Sequence, residues 1–409
     1  MNGRAANLLP ASSAASYDFG QVRDTLSRFV NADILPCASA AVLVDGELAF
    51  QSCAGWADKE RKIALAADHL FRVFSNTKLI TSCAALLLVD DGLLDLDEPV
   101  SRHLPAFAGL RVLRPGATRL TDTEPARRPI TARHLFTHTA GFSYARTRSG
   151  TLLGDAYDTH RLMLDASQSL EHVVNTLATL PLMVQPGTAW EYSLCTDVLA
   201  RLIEVVSGER FDHFLKTRVF DPLGMRDTSF HVSSERRERL VGLYRSVHPD
   251  LPLRGGLERC DDLPYRGAYV EPHALLSGGG GLVSTLGDMV ALMKSLVCAR
   301  HALLSPASLN LLLSDQLPPD MSIRFPNARA VVGRGFSFAG AVTRTRTPLD
   351  PAGAEGEVQW GGIAGTHWWV SPATGSAAVI MTQRYMSFWH LFAFQARRDI
   401  YAALNGQAG

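Results

Sequence analysis

In the stretch FRVFSNTKLITSCAALLLVDDG, residues 71–92, Ser75 heads an apolar run with helical spacing, and Lys78 follows three residues later. Residues three apart share a helix face, so the amine would lie one turn along beside the hydroxyl. A serine hydroxyl is a poor nucleophile until a base takes its proton. A lysine can be that base when burial and nearby positive potential lower its pKa from ~10.4 toward ~7–8. The run LITSCAALLLV supplies an apolar wall for desolvation, and a helix N-terminus supplies a positive field with free N–H groups. The competing explanation is a serine N-cap followed by a solvent-facing lysine. Lysine usage weighs against it. The only lysines are Lys59, Lys62, Lys78, Lys216 and Lys294; the rest of the 40 basic residues are arginine, and Ser75-x-x-Lys78 is the one Ser-x-x-Lys in the chain. Surface charge is written with arginine, which does not deprotonate.

A Ser/Lys pair needs a second proton-handling group and donors for an oxyanion. Tyr192 lies in GTAWEYSLCTDVLARLIEVVSG, just before a strongly amphipathic helix, where rigid neighbours hold a side chain that is still open to a cleft. On position alone, packing of the ring beneath that helix is the plainer explanation. Capping and packing likewise explain Asp197 and Trp190 as well as a place in the site does.

Taken in order, these segments resemble a known family. Ser75-x-x-Lys78, Tyr192, and QWGGIAGTHWWV on a C-terminal strand are similar to the penicillin-binding-protein and class C β-lactamase superfamily, above all its esterase branch, the family VIII carboxylesterases. HLFTHTAGF (134–142), PLGMRDTSF (222–230) and SGGGGLVST (277–285) resemble that branch too, and the likeness runs over roughly residues 20–404. It implies an α+β, β-lactamase/transpeptidase-like fold: a central antiparallel sheet flanked by helices, with a mainly helical inserted region. It also implies Ser75 as acylated nucleophile, Lys78 as its hydrogen-bonded partner, and Tyr192 as general base or proton shuttle. Trp360-Gly361-Gly362 stands where β-lactamases have Lys-Thr-Gly. The backbone N–H groups of Ser75 and Ile363 would be the oxyanion donors, each typically worth ~3–4 kcal/mol in the transition state. Glycines at 361 and 362 would let substrate approach the backbone.

Two departures turn the pocket toward neutral, apolar esters of short to medium acyl chain. Tyr192-Ser193-Leu194 replaces Tyr-x-Asn, removing an amide that would hold an acylamido group, and Trp360 removes a cation that would hold a β-lactam carboxylate. No metal or organic cofactor is implied; the partner is a small-molecule ester. A β-lactamase or D-peptidase, a transesterase, and a non-catalytic binding protein on the same fold remain as alternatives. Whether Lys78 is a neutral base or a cation beside a Tyr192 phenolate also stays open.

Other motifs carry less. His134 and His138 have the spacing of H-E-x-x-H on an expected helix, but Leu135 replaces the glutamate. Gly278 to Gly281 lack a following Gly-Lys-Ser/Thr, so a tight turn beside the cleft is expected, with Ser284 capping the next helix. GFSYA (141–145) and GFSFA (335–339) both miss the last glycine of G-x-S-x-G, and LDLDEP (94–99) reads as a solvated loop.

These residues need elements to hold them. Residues 39–58 read as two strands around Asp45-Gly46, a hairpin signal, and 356–384 as three strands between glycine and Pro-Ala-Thr-Gly turns. FWHLFAFQARRDIYAALNG then has helical spacing, as do 79–91, 131–138, 168–179, 195–207 and 285–299. No βαβ alternation is visible, which points to an antiparallel sheet built from both ends, 17–72 and 328–409, around a mainly helical region, 73–327.

The 409 residues, 46% hydrophobic and with zero formal net charge, describe a soluble globular protein, and no one-sign patch invites nucleic acid or an anionic membrane. Residues 1–20 lack the ~7–15 apolar residues of a secretory leader. The run at 79–89 falls short of the ~18 of a membrane span. Six cysteines without a C-x-x-C pair read as reduced thiols. The expectation is a cytoplasmic protein, monomeric or a small homo-oligomer.

Overall fold

The computed structural model describes residues 17–325 and 331–406. The N-terminal stretch read as leaderless lies outside these residues up to position 16, as do 328–330 and 407–409 of the expected C-terminal segment. An eight-stranded, wholly antiparallel sheet forms the centre. In chain order its strands are β1 (Cys37–Val44), β2 (Glu47–Asp58), β3 (Ile63–Ala64), β4 (Arg334–Phe336), β5 (Ala341–Thr343), β6 (Val358–Gly361), β7 (His367–Ser371) and β8 (Ser376–Met381). Across the sheet they run β4-β5-β6-β7-β8-β1-β2-β3, so the last strand pairs with the first, from Ser39 opposite Met381 to Val44 opposite Ser376.

Asp45 and Gly46 have φ of +50° and +79°, the two left-handed positions that a tight turn between right-twisted strands demands. The three C-terminal strands form as the sequence indicates. Strands β4 and β5 escaped the reading because three residues are too few to show an alternating pattern.

Successive residues of a strand face opposite sides, and here both sides are covered. Ala40, Val42, Trp369 and Ile380 pack against helices α1 (Gly20–Asn31) and, at the C-terminus, Leu391–Asn405. Ala41, Leu43, Trp368 and Val379 face the helical region. That is why β1 reads CASAAVLV, with no polar alternation beyond Ser39.

The helical region is built around α2 (Thr77–Asp90), in which every residue from Thr77 to Leu88 is buried. Each buried leucine there contributes about 1.5–3 kcal/mol over an exposed one. It packs on α3 (Cys195–Ser207), and the two helices bury Leu79, Cys83, Leu86, Val198, Leu199 and Leu202 in one apolar core. The helix expected at 131–138 covers only Ala132–Phe136, because His138 turns to φ +54°. The helix Leu286–Val297 is capped by Thr285, whose hydroxyl accepts from the Asp288 N–H, while Ser284 lies in a short strand. Among the described residues, no helix is long and apolar enough to cross a membrane and no His/Cys/Asp/Glu group is clustered to hold a metal. All six cysteines are free.

Candidate active site

Ser75 sits in a 3-10 turn, Phe74–Asn76, that leads directly into α2. Phe74 has φ +44°, a left-handed conformation that costs a bulky residue about 1–3 kcal/mol. The surroundings hold it there. The Val73 N–H donates to Leu282 O at 3.1 Å, and the Phe74 ring meets Tyr269 edge-on with centroids 5.6 Å apart. Just upstream, fully buried Arg72 exchanges backbone hydrogen bonds of 3.1 Å with the Gln383 amide and donates to Val241 O at 2.7 Å and Asp261 at 2.9 Å. The reward for the strained turn is a half-buried hydroxyl at the start of a helix.

Lys78 lies one turn on, buried, but it does not hydrogen-bond Ser75. Its Nζ donates to Gly279 O at 2.6 Å and to the Tyr144 hydroxyl at 3.1 Å, and it stands 5.0 Å from the centroid of the Tyr192 ring. The expected Ser75–Lys78 hydrogen bond is therefore corrected: the carbonyl and phenol turn the amine aside. The partner of the serine is Tyr192, whose hydroxyl is 2.9 Å from Ser75 Oγ. The Trp360 indole N–H donates to the same phenolic oxygen at 3.4 Å.

Tyr192 is gripped from both sides. Its ring lies 5.1 Å from His138, 5.3 Å from Tyr144, 5.3 Å from Trp360, and stacks on Trp190 at 6.1 Å. The loop carrying it is pinned by buried Glu191, whose N–H donates to His138 O and whose carboxylate accepts from Ser143 at 2.7 Å and from both faces of the Arg148 fork. Trp190 is thus a packing partner of the phenol. His138 stays neutral, since burial and then the Lys78 charge push its pKa well below the usual histidine range. His134 instead completes a capping box with Thr131.

At the end of β6, Trp360 faces Tyr192 while Gly361 and Gly362 meet protein rather than open space. A Cβ on Gly361 would strike the His367 ring, and one on Gly362 would stand 2.5 Å from Val73 O and strike Thr366. Gly362 lets the strand end pack on the nucleophile turn, and Gly361 lets β6 close on His367 and Thr366 beside it. Ile363 follows, its carbonyl accepting from Ser387 N–H at 2.8 Å. The N–H groups of Ser75 and Ile363 have no hydrogen-bond partner among the described residues.

Sequence reasoning missed Tyr144 and left Asp197 undecided. Asp197 is 1% exposed, and its Oδ1 accepts from Ser277 Oγ at 2.7 Å and Gly279 N–H at 3.0 Å. Burial raises its pKa and the Lys78 charge pulls it back. Burial, with Asp197 and Tyr192 nearby, drives the Tyr144 phenol well above its usual range, so it remains protonated. The four glycines form one wall of the site: Gly278 O accepts from Thr81 at 2.8 Å, and a Cβ at 278 would meet Ala200 at 2.6 Å. Side chains are likewise excluded at 279 and 281, where a Cβ would meet Asp197 at 2.7 Å and Ser277 O at 2.9 Å. Tyr144 lies in GFSYA, the segment that misses the last glycine of G-x-S-x-G.

A serine at a helix start, a buried amine, and a phenol on the serine oxygen, all between an antiparallel sheet and a helical region, define an acyl-enzyme type of serine site. The chain belongs to the family described as Beta-lactamase, whose match covers residues 22–394. Within it the chain is 34% identical to Esterase EstB of Burkholderia gladioli, over 84% of this chain and 85% of that one. It is 33% identical to the Lovastatin esterase of Penicillium rubens, over 74% and 76%. The solved structure of "EstCE1, a hydrolase with promiscuous acyltransferase activity" superposes with a TM-score of 0.78 at 25% identity, covering 93% of this chain and 98% of that one.

Proposed function

We propose that this protein is a serine ester hydrolase that cleaves neutral carboxylic esters of short to medium acyl chain through an acyl-enzyme on Ser75. The observation that carries this reading is the 2.9 Å contact between the Tyr192 hydroxyl and Ser75 Oγ, made beside a buried lysine. Tyr192, having shed its own hydroxyl proton to solvent, takes the Ser75 proton as a phenolate while Oγ attacks the ester carbonyl. The oxyanion that forms is met by the unpaired N–H groups of Ser75 and Ile363. The proton then passes to the departing alkoxide, the ester C–O bond breaks, and the acyl group remains on Ser75. Water repeats the sequence against the acyl-enzyme and frees the serine. The esterase activity named for Esterase EstB and for the Lovastatin esterase supports this reading. Trp360 and Leu194, standing where a lysine and an asparagine would hold a β-lactam, favour neutral substrates.

Transfer of the acyl group to an alcohol uses the same residues, and the printed activity of EstCE1 supports it as the second reading. The free state of all six cysteines supports a cytoplasmic location. Intact-mass analysis after mixing with p-nitrophenyl butyrate or a fluorophosphonate tests the core of the proposal. One covalent adduct, mapped to Ser75 and absent in Ser75→Ala, is expected. An adduct elsewhere, or none, removes the mechanism.

A further inference from the structure

Lys78 is held in a cradle that no part of the ester chemistry above explains. Its Nζ contacts two acceptors, Gly279 O at 2.6 Å and the Tyr144 hydroxyl at 3.1 Å. An ammonium has three N–H donors and no lone pair, so the Gly279 carbonyl and the Tyr144 oxygen can both accept from it with one N–H to spare. The same spot faces Asp197. A Cβ built on Gly279 would stand 2.7 Å from Asp197 Oδ2, 3.0 Å from Lys78 Nζ and 3.1 Å from the Tyr144 hydroxyl, so all three polar atoms crowd the bare face of one glycine. Asp197 Oδ2 is buried with no hydrogen-bond partner among the described residues. An unpaired carboxylate oxygen in such a place is costly without a nearby positive charge, and Lys78 supplies one through the field, from beyond the reach of a direct ion pair.

The remaining titratable neighbours do not supply that charge. His138 is neutral for the reason given above. Burial pushes the Cys195 thiol up to about 12. Tyr144 is kept protonated, and Glu191 is engaged by Arg148.

We propose that Asp197 is the counter-charge of Lys78 and that, with Tyr144 and Gly279, it keeps the lysine an ammonium aimed at the Tyr192 ring, leaving Tyr192 to take the Ser75 proton. Asp197 and Tyr144 are then positioning residues, acting through Lys78. This rests on the acyl-enzyme reading of Ser75.

The charge can be read directly. Five lysines make Nζ-labelled spectra sparse, and Lys78→Arg assigns the Lys78 signal, whose nitrogen shift distinguishes ammonium from amine. In the unchanged protein that signal is expected to be ammonium at pH 7; an amine there overturns the proposal without any variant. Asp197→Asn keeps the shape and the Oδ1 acceptor but removes the charge. The amine is expected to appear at least one pH unit lower than in the unchanged protein. At a pH where only the variant carries the amine, kcat for p-nitrophenyl butyrate should fall about fivefold or more with KM unchanged. A rise in kcat there would make the neutral amine the base, and an unmoved signal would make Asp197 purely structural; either result overturns the proposal. Tyr144→Phe, which removes one acceptor, should shift both readouts the same way by about threefold and serves if the asparagine variant does not fold. Fluorophosphonate labelling of Ser75 in the unchanged protein separates the two failures. Labelling with no shift defeats only the cradle, whereas absent labelling defeats the acyl-enzyme reading beneath it.

Discussion

Replacing Tyr192 by phenylalanine deletes one oxygen and leaves the ring where it is. The contacts of that ring with His138, Tyr144, Trp190, Phe325 and Trp360 depend on its faces and edges, so the site should keep its shape. What disappears is the 2.9 Å contact to Ser75 Oγ and the acceptor for the Trp360 N–H at 3.4 Å. Positioned proton transfer contributes about 10²–10⁴ in rate, which is roughly 3–5 kcal/mol of barrier at about 1.4 kcal/mol per tenfold. Losing a modest hydrogen bond costs about 1 kcal/mol of stability, and in a chain this long that is about 2–4 °C in Tm at most. Tyr192→Phe should therefore lower kcat for p-nitrophenyl butyrate by 10²–10⁴ with KM within about threefold and thermal unfolding nearly unchanged. Steady-state kinetics over pH 5–10, beside a melting curve, give both numbers. A variant retaining more than about a tenth of the activity would remove the phenol from the proton path, because nothing else in hydrogen-bond reach of Ser75 Oγ among the described residues could replace it.

Trp360→Phe keeps an aromatic wall but withdraws the donor on the Tyr192 oxygen, so kcat should fall by about three- to tenfold, in line with the loss of one neutral hydrogen bond of about 1 kcal/mol. Gly279→Ala should cut kcat at least about tenfold and reduce fluorophosphonate labelling, since its methyl would meet Asp197 at 2.7 Å and Lys78 at 3.0 Å. Gly362→Ala drives a methyl to 2.5 Å from Val73 O beside the strained turn, and calorimetry should show a loss of about 1–3 kcal/mol together with impaired turnover. Far from the site, burial alone would raise the Asp350 carboxyl, but the Thr347 N–H and the Arg334 charge hold it down to about 2. A carboxyl lowered on folding stabilises above its unfolded pKa of about 4 and loses that effect as pH falls toward 2. Asp350→Asn should accordingly be less stable than the parent at neutral pH, with the gap closing between about pH 4 and pH 2 in acid titrations followed by circular dichroism.

The chemistry was legible where the covalent chain itself carries the spacing. Ser75 and Lys78 share a helix turn, and the strand ending in Trp360-Gly361-Gly362 arrives beside Tyr192. What could not be read was how far each side chain leans. Lys78 turns to Gly279, more than 200 residues further on, and no local pattern announces a carbonyl acceptor. Asp197 looked like an ordinary first-turn acid because its position in α3 is one that capping would also favour. Gly278 and Gly279 were conspicuous, as were Gly361 and Gly362, yet their reasons are tertiary: side chains of α3 in the first case, His367 and the turn before Ser75 in the second. Likewise the sheet's middle was visible in its Asp-Gly and Pro-Ala-Thr-Gly turns, while its short edge strands needed neighbours to define them.

Strand β1 finds its partner β8 only when Val44 meets Ser376. On the ribosome, at about 5–20 residues per second, that partner emerges on the order of 20–60 s after β1 has left the exit. Throughout that interval an alanine- and valine-rich edge has open backbone groups on one side, held only by the hairpin with β2. A nascent chain of this protein is therefore most vulnerable to sticking to its neighbours while the helical region is being made, and a stop codon between the end of β7 and residue 376 leaves the sheet in two pieces with the joining strand missing.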